Sequence, residues 1–99
     1  MAGDLLMTGF ADHAAPRQPL LSEVVDRATG TIRATGRLTA LGADLLRGTV
    51  EGLRRLGCAR VTVELREVEA ADDAARGILL ELRHSVTADG GELVLRHLD

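Results

Sequence analysis

The sequence predicts an α/β (α+β) fold: a mixed four-stranded sheet with its helices on one face and elements in the order β-β-α-β-α-β. Three observations point there. Val61, Val63 and Leu65 alternate strictly with Arg60, Thr62 and Glu64, the period of a strand with one covered face. Two longer stretches repeat their apolar residues at helical spacing, one at i, i+4 and i+7 and the other in an i, i+4 row, as in an amphipathic helix. Turn residues, among them Gly30, Gly57 and Asp89-Gly90-Gly91, punctuate the chain between these patterns.

Taken in order, Met1 to Pro19 show no sustained period and contain both prolines, Pro16 and Pro19. They are read as a flexible leader, 1–19, whose apolar residues Leu5, Leu6, Met7 and Phe10 can dock on the domain formed by 20–99. Leu20 to Arg27 and Thr31 to Arg37 read as two strands joined through Ala28-Thr29-Gly30, with Ile32 and Ala34 on one face and Thr31, Arg33 and Thr35 on the other. Thr39 is a suitable N-cap for a helix from Ala40 to Leu56, in which Leu46, Val50 and Leu53 form the stripe and Leu45 and Leu56 widen it. Gly48 and Gly52 weaken that helix and are expected to allow close approach to the sheet; Gly57 ends it. After the strand Arg60 to Leu65 a loop is expected, then a helix from Asp73 to Thr87. Its apolar row is Ala74, Ile78, Leu82 and Val86, with Ala75 and Leu79 beside it. Glu92 to His97 is the last strand. Crossovers between parallel strands are right-handed, so both helices belong on one face. The expected core is Leu46, Val50, Leu53, Val61, Val63, Leu65, Ile78, Leu79, Leu82, Leu93 and Leu95.

Ninety-nine residues suit one domain, and 45% hydrophobic with 27% charged residues is a globular composition. Phe10 is the only aromatic residue, so the core is aliphatic. A net charge of −3, with scattered arginines and no lysine, argues against nucleic acid as a partner. No apolar run approaches the ~20 residues of a membrane span and no basic start precedes Leu5-Leu6-Met7, so membrane insertion is not expected and the location is read as cytoplasmic. Cys58 stands alone and reads as a partly buried structural thiol.

Four motifs between Thr31 and Arg96 carry a family resemblance. Gly36-Arg37-Leu38-Thr39 stands where the family has Gly-Glu-Leu-Asp. Val63-Glu64-Leu65-Arg66-Glu67-Val68 resembles Leu-Asp-Leu-Ser-Gly-Val. Asp72-Asp73-Ala74-Ala75-Arg76-Gly77 occupies the place of Asp-Ser-Ser-Gly-Leu-Gly, and Gly90-Gly91-Glu92-Leu93-Val94-Leu95 resembles the opening of the last core strand. The chain thus resembles the STAS family, the domain of anti-sigma-factor antagonists and of sulphate-transporter tails. The resemblance implies a STAS-like sheet whose usual closing helix is missing after the last strand. It also implies a protein-interaction function: docking on an anti-sigma factor that is also a kinase, with release when the first serine of the third motif is phosphorylated. Asp73 holds that phosphoacceptor position here, and no Ser, Thr or Tyr occurs from Val63 to His84. The charge at Asp73 therefore imitates a phosphate in part and permanently. Thr39, Glu67, Glu69, Asp72, Asp73 and Arg76 are the expected partner-binding residues.

Other readings remain open. The small STAS subunit of a lipid-transporting ABC system, which docks on an ATPase, fits the same motifs. A small-ligand-binding domain with its ligand over the incomplete sheet is a different class. Asp72 or Asp73 would cap the second helix in any protein, a purely structural role. Glu64, Glu67, Glu69, Asp72 and Asp73 gather around one strand end, yet without a ligand spacing they read as a solvated acidic rim rather than a metal or paired-acid site. Glu81 and His84 are exposed helix residues on this reading, and His13 and His97 have no metal spacing. No nucleophile–base pair or phosphate-binding loop can be assembled, so neither catalysis nor a cofactor is expected. With no closing helix, apolar surface is expected to stay exposed and to invite a homodimer or a stable partner complex.

Overall fold

The computed structural model describes residues 21–98. The leader 1–19, with Leu5, Leu6, Met7 and Phe10, lies outside the described residues. Six elements follow one another: β1 (Leu21–Asp26), β2 (Thr31–Leu38), α1 (Ala40–Arg55), β3 (Arg60–Ala71), α2 (Asp73–Ala88) and β4 (Glu92–Arg96). The sheet order is β1-β2-β3-β4, with β1 antiparallel to β2 and the other two pairs parallel. The fold class and element order are those expected from the sequence. Among the described residues no helix is long and apolar enough to cross a membrane.

Each helix starts and stops where its local chemistry dictates. The Thr39 hydroxyl accepts from the Gly42 N–H, satisfying one of the orphan donors of the first turn of α1. At the other end Gly57 adopts a left-handed φ of 102°. Its N–H donates to Arg54 and that of Cys58 to Leu53, which caps two carbonyls of the last turn. The same pair of bonds closes α2, from Gly90 to Thr87 and from Gly91 to Val86.

One face of the sheet forms the core. Ile32, Ala34 and Leu38 of β2, Val61, Val63 and Leu65 of β3 and Leu93 of β4 are buried together with Ala43, Leu46, Val50 and Leu53 of α1 and Ala75, Leu79, Leu82 and Val86 of α2. The two helices also pack on one another, as right-handed crossovers to one face require. Cys58 is half-buried, as expected.

Five expectations are corrected. The strand expected to end at Leu65 continues to Ala71, because β2 keeps pairing with it through two register shifts: Arg33 pairs with Glu64 and Thr35 with Glu67, then Gly36 with Val68 and Arg37 with Ala70. Each shift inserts one extra residue on β3 and breaks the alternation that marks a strand in the sequence. The buried row of α2 is Ala75, Leu79, Leu82 and Val86; Ala74 is exposed and Ile78 half-buried. Leu95 is half-buried too, since β4 is an edge strand. Leu45 and Leu56 are exposed and leave the α1 stripe narrow. Gly48 and Gly52 approach nothing; the glycine of α1 that faces the sheet is Gly42, where a Cβ would lie 3.4 Å from that of Leu21.

Candidate functional site

Parallel pairing delivers the C-terminal ends of β2 and β3 to the same edge of the sheet, the edge where open α/β sheets place their ligands and partners. Leu38 pairs with Ala71, and the Asp72 N–H donates to the Leu38 carbonyl at 3.2 Å. The chain turns into a helix immediately after each strand. Thr39 and Asp72 therefore cap two neighbouring helix N-termini, whose exposed N–H groups and dipoles favour negative charge.

The cap of α2 is Asp72, whose Oδ1 accepts from the Ala75 N–H at 2.9 Å. Asp73, one residue on, is spared that task. Its carboxylate projects fully into solvent, and its nearest cation, Arg76 Nη1, is 3.9 Å away. An exposed pair at that distance holds little energy. Arg76 itself folds over the end of β3, with its Nε buried and without an acceptor among the described residues. It helps line a groove of ≈ 370 Å³ together with Leu65, Val68, Glu69, His97 and Leu98. The groove exists because β4 pairs with β3 only from Arg60 to Glu64, leaving the rest of β3 as a free edge on that side. His97, at a left-handed φ of 62°, turns the chain after β4, and Leu98 packs against the core.

The acidic rim expected from the sequence is divided. Glu69 lines the groove, and Asp72 and Asp73 stand at the end of α2. Glu64 and Glu67 face the helix-free side of the sheet, around a shallow pocket of ≈ 240 Å³ with Arg33 and Arg66. The partners of Glu64 are basic groups of the chain after β4 and at its end: its Oε1 lies 3.0 Å from His97 Nδ1 and its Oε2 4.0 Å from Arg96. The pocket is smaller than the ~300–1,000 Å³ of usual small-molecule sites. Among the described residues no three His, Cys, Asp or Glu side chains group as metal ligands, and Glu81 and His84 are exposed. Of the expected site residues, Thr39, Glu69, Asp72, Asp73 and Arg76 thus share one end of the molecule, while Glu67 lies round the edge on the open face. Sequence reasoning missed His97 and Leu98, whose place depends on a positive φ at a non-glycine residue that no local pattern announces.

The division of labour between the two aspartates is measurable. Asp72→Ala is expected to cost about 0.5–2 kcal/mol of unfolding free energy in urea, and Asp72→Asn much less, because asparagine caps as well. Asp73→Ala is expected to change stability visibly less than Asp72→Ala. An equal loss at both positions would mean that the cap is shared.

Among curated proteins none matches this chain. Residues 21–99 match the family model described as Mlab, STAS domain, which spans every element of the sheet and both helices. With that match, and with parallel strands that bring two capped helix ends to one edge, the chain belongs to the STAS domain family.

Proposed function

We propose that this STAS domain is a non-catalytic interaction module that docks through the α2 end of the sheet on an anti-sigma factor or sigma-regulating kinase, competing there for the surface that holds a sigma factor. The observation that carries the reading is the pairing of Asp72 and Asp73. Because Asp72 supplies the cap, the Asp73 charge is free to meet a partner at the position where the antagonists it resembles keep their serine. Arg76 adds a buried donor that has no acceptor among the described residues, which a partner's carbonyl or carboxylate would satisfy. Thr39 and Glu69 flank the pair, and Glu67 extends the contact round the sheet edge. The Mlab description of the matching model favours a second reading, the small STAS subunit of a lipid-transporting ABC system, with the same surface docked on its ATPase.

Both readings share one test at Asp73. Wild type, Asp73→Asn and Asp73→Ser are titrated against a purified anti-sigma-factor kinase and a purified ABC-transporter ATPase from the same genome. Asparagine keeps the shape and loses the charge, so binding to the true partner is expected to change about tenfold or more. Incubation with the kinase and ATP is expected to leave no stable phosphate between Val63 and His84. Equal affinities for all three proteins would reduce Asp73 to a surface residue and remove this mechanism.

A further inference from the structure

A second surface lies away from the α2 end. Helix α1 buries Leu46, Val50 and Leu53, and it turns another apolar row outward: Leu41, Leu45 and Leu56 are 57%, 48% and 65% exposed. Strand β1 runs along this side of the helix. Leu21 meets Gly42 in the first turn, Glu23 Oε1 accepts from the Thr49 hydroxyl at 2.7 Å, and Val25 lies by Leu53 and Leu56 at the far end. Between strand and helix is an apolar groove of ≈ 510 Å³, floored by Gly52 and bordered by Arg27 and Arg55. Neither arginine belongs to an ion pair among the described residues. β1 is also the edge of the sheet, so among the described residues nothing pairs with its outer backbone groups.

We infer that this groove receives the chain's own segment Leu5–Phe10, folded back along β1 and α1. Three features single out this occupant. The first is position: residues 1–20 join the domain at Leu21, beside the first turn of α1 where the exposed row begins. The second is reach and direction. Pro16 and Pro19 favour a reversal just before β1. The eleven residues from Leu5 to Ala15 ahead of it can extend about 36 Å, against about 24 Å for the whole length of α1. The third is complementarity. Leu5, Leu6, Met7 and Phe10 are apolar and are bracketed by Asp4 and Asp12, while the groove is apolar and bracketed by two arginines. Covalent attachment also gives this segment a high effective concentration over any separate molecule. The docked segment would cover the apolar row and blunt the β1 edge, leaving the α2 end as the free face.

Phe10 is the only aromatic residue, so one ring reports on the segment without any substitution. The full chain is labelled with fluorophenylalanine and with methyl-labelled Val and Leu, and is observed by NMR at several concentrations. The expected result is a fluorine shift away from that of free fluorophenylalanine, independent of concentration, with cross-relaxation from the ring to Val25 and Leu56 methyls. Leu56→Glu is expected to abolish those contacts and return the shift to the free value, whereas Leu80→Glu, at an exposed position on α2, is expected to leave both unchanged. A free shift without contacts in the wild type overturns the inference. Contacts that vanish on dilution overturn it in favour of a second copy, and contacts that survive Leu56→Glu place the segment elsewhere.

Discussion

Leu79→Ala is expected to lower the unfolding free energy by about 2–5 kcal/mol, the range for truncating a fully buried leucine whose surroundings relax only in part. Leu79 is fully buried at the heart of the row that α2 presents to the sheet and to α1. Among the described residues the core is wholly aliphatic, without an aromatic ring to swing into the space left behind. Against a total of about 5–15 kcal/mol for a domain, such a loss moves the urea midpoint far more than any surface change. Ile78→Ala, at the adjoining half-buried position, is expected to cost clearly less. The pair therefore distinguishes the two neighbouring rows of α2. The chain has no Trp or Tyr, so far-ultraviolet circular dichroism is the suitable probe of the transition. A larger loss at Ile78 than at Leu79 would put the helix in the other rotation.

The confusion between those rows shows what the sequence carries and what it leaves to tertiary structure. Ala74, Ile78, Leu82 and Val86 fit helical spacing as well as Ala75, Leu79, Leu82 and Val86 do, and the two sets share their last members. Periodicity finds the helix, but packing sets its rotation to within one residue. β2 was legible because Ile32 and Ala34 alternate with polar neighbours on an uninterrupted stretch. The second half of β3 was not, because the two register shifts against β2 place consecutive residues of Leu65 to Ala70 out of alternation. The same shifts split the acidic rim, sending Glu67 to the open face and Glu69 to the groove. The caps at Thr39 and Asp72 were within reach of sequence reasoning, since a cap depends only on the residue and the turn that follows it. Their proximity was not: it comes from the parallel register of Leu38 with Ala71. The groove under Arg76 likewise needs β4 to stop short of β3 and His97 to turn the chain across the gap.

Gly30→Ala is expected to be the costliest glycine substitution in the described domain, above about 2 kcal/mol. Gly30 closes the β1–β2 hairpin at a left-handed φ of 70°, which costs an L-residue about 1–2 kcal/mol by itself. The added Cβ would also stand 2.7 Å from the Arg60 carbonyl oxygen, a backbone atom that cannot swing aside. That carbonyl is fixed at the start of β3. Gly30 is tied to the same strand, since its own carbonyl accepts from Thr62 and its N–H reaches back to Asp26. Relieving the overlap would stretch the first bonds between hairpin and β3, so strain is expected to spread into the sheet rather than stay in the turn. Gly48→Ala provides the opposite case. It sits in the interior of α1 with nothing within 4 Å of the new methyl. The gain in helix propensity is expected to raise stability by about 0.5–1 kcal/mol. Urea titrations of the two variants should therefore fall on opposite sides of the wild type, and a neutral Gly30→Ala would show that the hairpin is not anchored to β3 through that turn.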